Sequence, residues 1–172
     1  QRKYEGFEVS AAGNVTDDLA IYANLLNMMA KNISGAPTCG PGTAVGTVGG
    51  TCKNFTPTIV GLQVSNTAKF YGSLFAQYQL GSVFPQLEGL AINGGMYYIG
   101  NRPMNDLNQA NLGGYTTFDL GLAYSTDAFD YPMTFRINAA NVGNARYWAS
   151  GDANLISQGV PGTVNLSLEA HL

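Results

Sequence analysis

The chain has 172 residues, of which 11% are charged, and its formal net charge is −3. The eight Lys and Arg residues are too few for a nucleic-acid partner. No run approaches ~18 consecutive apolar residues, which excludes a membrane-spanning helix. A 45% apolar content and 22 glycines exclude a disordered chain and a coiled coil.

Alternation of apolar and polar residues, which is the period of a β-strand, recurs along the whole chain. Segment 17–31 also fits a helix capped by Asp17 or Asp18, and only its strand-like neighbours decide for a strand. Seven strands are predicted, each of roughly 9–14 residues, where strands of soluble domains run about 5–6. They cover 4–13, 17–31, 66–80, 89–99, 115–124, 133–140 and 164–172.

Each predicted strand has one apolar and one polar face. In the clearest, Tyr115–Tyr124, Phe118 and Leu120 share a face while Asp119 and Gly121 share the other. Transmembrane strands need about 9–11 residues, and a charge facing lipid at the midplane costs roughly 2–4 kcal/mol for Arg or Lys. The clear mid-strand charges all fall on polar faces, and they are Glu8, Asp119, Arg136 and Glu169. The pattern therefore favours an all-β, antiparallel transmembrane β-barrel segment.

Short and long connections alternate between the strands, as in outer-membrane barrels with tight periplasmic turns and long extracellular loops. The short connections are 14–17, 81–87 and 125–132, and the long ones are 32–65, 101–113 and 145–160. We expect 32–65 to be an extracellular loop closed by a disulfide between Cys39 and Cys52. Such a bond indicates an oxidising compartment.

Seven strands do not close as an ordinary single-chain bacterial barrel, and an open sheet would leave unpaired edges in lipid. We therefore expect residues 1–172 to be part of a larger barrel. Two alternatives stay open. One is a small complete barrel of about eight strands that serves as an anchor, adhesin or narrow channel. The other is a secreted β-sandwich that acts as a binding module.

Several short motifs resemble those of the C-terminal barrel of TonB-dependent outer-membrane receptors of the siderophore type. They stand in the family's order, and they are Tyr4–Glu8, Gly13–Asp17, Val64–Lys69, Gly94–Gly100, Gly114–Asp119, Asn138–Tyr147 and Gly159–Thr163. The resemblance implies a barrel of about 22 strands filled by an N-terminal plug domain that this chain lacks.

The resemblance also implies a function and a set of partners. Such a receptor takes up a ferric siderophore or a similar scarce nutrient, driven by TonB acting through the missing plug. The implied partners are outer-membrane lipid, the plug domain and the remaining barrel strands. The implied location is the bacterial outer membrane, with long loops extracellular and the C-terminus periplasmic.

Candidate residues fall into two groups. The polar lumen and plug-facing candidates are Glu8, Asp119, Arg136, Asn138 and Glu169, and we expect Asp119, Arg136 and Glu169 to form one ion-pair and hydrogen-bond cluster. Residues able to stack on or bond to a ligand at the extracellular side are Tyr97, Arg102, Asn105, Asp106, Tyr147 and Trp148. No nucleophile–base pair indicates an enzyme. The lone His171 indicates no metal site, and no cofactor is predicted.

Overall fold

The computed structural model describes residues 1–34, 59–127, 131–152 and 155–170, and these residues are almost entirely strands and turns. The strands are β1 (Arg2–Asn14), β2 (Leu19–Asn32), β3 (Phe70–Gln79), β4 (Leu90–Ile99), β5 (Arg102–Pro103), β6 (Asn111–Leu112), β7 (Tyr115–Thr126), β8 (Met133–Ala140), β9 (Trp148–Asp152), β10 (Leu155–Gln158) and β11 (Thr163–Ala170). The described part has one 3₁₀ turn at Pro85–Leu87 and no helix long and apolar enough to cross a membrane. Cys39, Cys52 and His171 lie outside the described residues.

Seven long strands form one antiparallel sheet in the order β1-β2-β3-β4-β7-β8-β11. This confirms the predicted fold class, and within segment 17–31, which was ambiguous between strand and helix, β2 forms a strand from Leu19 onward. Two short hairpins, β5–β6 and β9–β10, form separate two-stranded sheets within long connections. They were not predicted, because two to five residues are too few for an alternation to be recognised.

The sheet has one strongly apolar face, and no other described part of the chain packs on it. The register aligns Ile92, Leu122, Ile137 and Leu166 in one row across four adjacent strands. Leu120 is 58% exposed and Leu166 is 75% exposed. A β-sandwich would bury such a face against a second sheet, and the described residues provide none. An apolar surface of this extent needs a nonpolar environment.

The sheet is open, because β1 and β11 are its two edges and do not pair with each other. Within the described residues it is therefore a barrel segment and not a complete small barrel. Apolar side chains are buried mainly near one end of the sheet, where Ala30, Val64, Ala68 and Leu112 are each at most 4% exposed. This end carries the connections β2–β3, β4–β7 and β8–β11, so the packed part of the molecule lies beneath its long loops.

Candidate functional site

A row of carboxamide side chains crosses the polar face of the sheet at one level. Successive pairing positions in the seven strands are Asn14, Ala20, Gln77, Asn93, Gly121, Asn138 and Asn165. Five of these seven residues carry a carboxamide, and we call the seven together the carboxamide row. A Cβ atom on Gly121 would lie 2.5 Å from Oδ1 of Asn93 and 2.5 Å from Oδ1 of Asn138. The glycine therefore leaves space for two amides from neighbouring strands, and the row offers neutral donors and acceptors.

The charged residues of the polar face make separate contacts. Arg136 Nη1 lies 2.6 Å from Glu169 Oε2, across the β8–β11 pair. Glu8 accepts a 2.6 Å hydrogen bond from Asn24 Nδ2 on β2. Asp119 does not join Arg136 and Glu169. Its Oδ1 instead accepts a 2.8 Å hydrogen bond from the backbone N–H of Asn141. The expected cluster of three charges is thus one exposed ion pair, worth at most about 1 kcal/mol, and a separate loop contact.

Asn141 follows β8 directly, and its side chain binds both ends of the connection between β8 and β11. It is 5% exposed and has a φ of 49°, a left-handed conformation that asparagine adopts more readily than most residues. Its Oδ1 accepts from the Ala145 N–H at 2.9 Å, and its Nδ2 donates to Val160 O at 3.0 Å. Because Asp119 on β7 accepts from the Asn141 N–H, Asn141 also connects both ends of this loop to β7.

Arg102 is the one buried charged side chain among the described residues, with 3% of its surface exposed. Nε donates to Asn66 Oδ1 at 2.9 Å, and Nη2 donates to Trp148 O at 2.5 Å and to Ala149 O at 2.8 Å. Its guanidinium carbon lies 5.6 Å from the Tyr115 ring centroid. Nη1 is buried and makes no hydrogen bond within the described residues, and the negative face of the Tyr115 ring stabilises the cation.

Asp106 binds three other parts of the chain. Oδ1 accepts from the Ser65 N–H at 2.8 Å and from Asn32 Nδ2 at 3.4 Å, and Oδ2 lies 3.2 Å from Arg2 Nη2. Burial of the Asp106 carboxyl raises its pKa, whereas the hydrogen bonds from Ser65 and Asn32 lower it. The charge of Arg2 lowers the pKa further, and the net value lies below the ordinary 3.8.

The lowered pKa of Asp106 gives a prediction about acid. A carboxyl whose folded-state pKa is depressed contributes stability above its unfolded pKa, and this is lost as the pH falls through the folded value. Hydrogen exchange of the Ser65 amide, corrected for the intrinsic rate, should stay constant from pH 7 to about 4.5 and rise in stronger acid. The variant Asp106→Asn should exchange on the order of tenfold faster at pH 7, with no acid step. An acid step that persists in this variant would assign the effect to another carboxylate.

Aromatic rings cover the same end of the polar face. Tyr147 stacks on Tyr115, with ring centroids 3.9 Å apart and planes inclined by 21°, and the Tyr147 ring occupies the space where a Gly159 side chain would lie. Tyr97 leans over Gly95, where a Cβ atom would lie 3.4 Å from its ring. Tyr97 and Trp148 are 44% and 45% exposed, so these two rings are accessible.

The six ligand-contact candidates thus divide into two with exposed rings and four that bind other parts of the chain. Tyr97 and Trp148 present rings, while Arg102 and Asp106 bind other loops and Tyr147 is stacked. Asn105 caps its own hairpin turn, since its Oδ1 accepts from the Gln109 N–H at 3.2 Å. Sequence reasoning missed Asn66, Asn108 and most of the carboxamide row. Among the described residues, no group of three or more His, Cys, Asp or Glu side chains could hold a metal ion.

Comparison with known proteins gives one family and several relatives. The family model described as "TonB dependent receptor-like, beta-barrel" matches residues 1–144. The ferrichrome receptor FcuA of Yersinia enterocolitica is 36% identical over 86 residues, which are 49% of this chain and 11% of that protein. An uncharacterized TonB-dependent receptor of Haemophilus influenzae is 24% identical over 175 residues, covering 100% of this chain and 45% of that protein.

Among solved structures, the ferric preacinetobactin receptor BauA of Acinetobacter baumannii has the same fold over 98% of this chain, with a TM-score of 0.76 and 22% identity. The match covers 22% of the BauA chain. The chain therefore spans less than half the length of each of these relatives.

Proposed function

Because the chain belongs to the TonB-dependent receptor β-barrel family, whose model matches residues 1–144, we propose that it is the C-terminal part of an outer-membrane receptor for uptake of a ferric siderophore or a similar scarce nutrient. Members of this family are outer-membrane transport receptors and not enzymes. The observation that carries the proposal is the two-faced open sheet. Its apolar face is exposed along every long strand, while its other face carries the carboxamide row.

The proposal assigns a neighbour to each face. The apolar face contacts outer-membrane lipid, and the carboxamide row faces a plug domain that the rest of the receptor supplies, with TonB acting through that plug. A plug surface contains many backbone and side-chain polar groups, which need hydrogen-bond partners when they are buried. Neutral carboxamides serve both donors and acceptors, so this row suits such a surface.

The proposal also assigns a side of the membrane to each connection. The long connections that carry β5–β6 and β9–β10 are extracellular, as is 32–65 with the proposed Cys39–Cys52 disulfide. The short turns between β1 and β2, β3 and β4, and β7 and β8, together with the C-terminus, are periplasmic. This orientation puts Tyr97 and Trp148 at the extracellular side, where a ligand arrives.

A ferric siderophore is the substrate class that the relatives favour. A stretch of 86 residues is 36% identical to a protein named as a ferrichrome receptor, and one structure with the same fold is titled as a ferric preacinetobactin receptor. Exposed aromatic rings gain free energy when an organic chelate covers them. Tyr97 is therefore proposed as a contact on the lumen side of the wall.

Binding by the full-length receptor tests this function. Ferrichrome and ferric preacinetobactin are titrated against purified receptor, with cobalamin as a nutrient of a different class. Tyr97→Ala should weaken binding of the recognised chelate by about fivefold or more. Tyr98→Ala is the matched control, because Tyr98 is the next residue and points to the apolar face, and it should bind normally. Binding of cobalamin alone, or equal losses in both variants, would contradict the proposal.

A further inference from the structure

We propose that Arg102 is a positioning residue that couples three extracellular segments into one unit. These segments are 59–69, the hairpin β5–β6 and the hairpin β9–β10, and we refer to them together as the loop layer. Arg102 stands at the start of β5, and its side chain contacts both other segments. The inference concerns how the loop layer is held, and only its ligand-binding consequence rests on the proposed function.

The first link joins the hairpin β5–β6 to segment 59–69. Arg102 Nε donates to Asn66 Oδ1 at 2.9 Å, and the Asn66 N–H donates to Pro103 O at 2.8 Å. Asn66 has a φ of 53°, so its backbone turns sharply at the point of contact. Further along the hairpin, Asn108 Nδ2 donates to Gln63 O at 2.8 Å, while its Oδ1 accepts from the Gln63 N–H at 3.0 Å. With the Ser65 N–H that Asp106 Oδ1 accepts, segment 59–69 is therefore tied to this hairpin at three points.

The second link joins the same guanidinium to the hairpin β9–β10. Nη2 donates to the carbonyl oxygens of Trp148 and Ala149, the first two residues of β9. Asn66 Oδ1, which already accepts from Arg102, also accepts from the Gly151 N–H at 3.2 Å. A Cβ atom on Gly151 would lie 2.8 Å from Leu112 Cδ1, so β9 packs closely on β6. One arginine and one asparagine thus connect all three segments.

The third link is a cation–π contact beside a pair of stacked tyrosine rings. The Arg102 guanidinium lies over Tyr115, and Tyr147 stacks on Tyr115. Because Tyr147 in turn covers Gly159, the stack connects the first residues of β7 to the chain on both sides of the hairpin β9–β10. A lysine ammonium is a compact point charge without the planar, multi-donor geometry of a guanidinium. Lysine therefore cannot make the hydrogen bonds of Arg102 and its contact with the Tyr115 ring at the same time.

The coupling determines where the Trp148 ring lies. Arg102 holds the backbone carbonyl of Trp148, while the ring itself is 45% exposed. Arg102 is buried and so does not itself meet a ligand. Its effect on binding is exerted through the position of Trp148 and through the rigidity of segment 59–69.

Hydrogen exchange of the full-length receptor tests the coupling without any ligand. In Arg102→Gln, amides in both 62–68 and 148–158 should exchange at least about fivefold faster, while amides of β4 and β7 keep their rates. Arg102→Lys should give intermediate rates in both segments. Arg146→Gln is the matched control, since Arg146 is an exposed arginine of the β8–β11 connection, which also carries β9–β10. An increase in one segment alone, or none in either, would overturn the proposal.

A binding experiment distinguishes failure of this inference from failure of the proposed function. With ferrichrome as the probe, Arg102→Gln should weaken affinity by about tenfold through faster dissociation, with the association rate and the thermal midpoint of the barrel unchanged. If both segments loosen in exchange but the parent receptor binds no ferrichrome, the coupling is upheld and the ferrichrome assignment fails. If both segments loosen and ferrichrome dissociates at the parent rate, the positioning role is overturned.

Discussion

Replacing Leu166 with arginine is expected to destabilise the folded receptor by roughly 2–4 kcal/mol, the cost of a cationic side chain on the lipid face near the midplane. Leu166 is 75% exposed and shares its row with Ile137 on β8 and Leu122 on β7. Hydrocarbon cannot hydrate a guanidinium group, and the neighbouring side chains of this row offer no acceptor. Reversible unfolding in lipid vesicles, followed by heat-modifiable migration on a gel, measures the loss.

Asn165→Arg is the matched control for this experiment. Asn165 precedes Leu166 on β11 and lies opposite Asn138 in the carboxamide row. An arginine there meets the amide acceptors of the row and the polar surface proposed to lie against it, so the expected destabilisation is below about 1 kcal/mol. Equal losses for the two variants would therefore contradict the assignment of the apolar face to lipid.

Replacing Gly89 with alanine is expected to be the second most damaging change, at more than about 2 kcal/mol. Gly89 has a φ of 80° in the turn before β4, a conformation that costs side-chain-bearing residues free energy. A Cβ atom there would also collide with the backbone carbonyl of Ser125 on β7. That carbonyl belongs to a neighbouring strand, and moving it disturbs the β4–β7 pair. Unfolding midpoints in urea measure the effect.

Gly13→Ala provides the comparison for Gly89→Ala. Gly13 lies in β1, and a Cβ atom there would meet no described atom within 4 Å. Alanine is therefore expected to change stability by less than about 0.5 kcal/mol, or to stabilise slightly through the unfolded chain. If Gly13→Ala proves as harmful as Gly89→Ala, the turn geometry at Gly89 is not the cause.

The sheet could be predicted from the sequence because the alternation of a strand is a local property. Leu120 and Asp119 are neighbours in the chain, and their contrasting polarity assigns them to opposite faces without any knowledge of their partners. The same reasoning decided segment 17–31, whose helix-like pattern gave way to the strand period of the surrounding chain. Residues 66–69 were included in a strand because they continue its polarity, yet β3 begins at Phe70.

The candidate site depended on register and loop packing, which alternation does not specify. Gln77 and Asn93 fall on the polar side of their strands' alternation, but only the pairing shows them side by side. Asp119 was expected near Arg136, whereas its carboxylate reaches the N–H of Asn141. Arg102 was expected to contact a ligand at the extracellular side, whereas it is 3% exposed. Its burial follows from backbone acceptors on two other loops, which no pattern in the sequence places there.

The carboxamide row has a consequence for motion against this wall. None of its members titrates, so contacts at this level keep the same strength whatever the acidity or ionic strength of the surroundings. Each hydrogen bond exchanges with water at a net change of about 1 kcal/mol, far less than the release of a buried ion from its partner. A plug domain that lies against the row can therefore move along it through positions of nearly equal free energy.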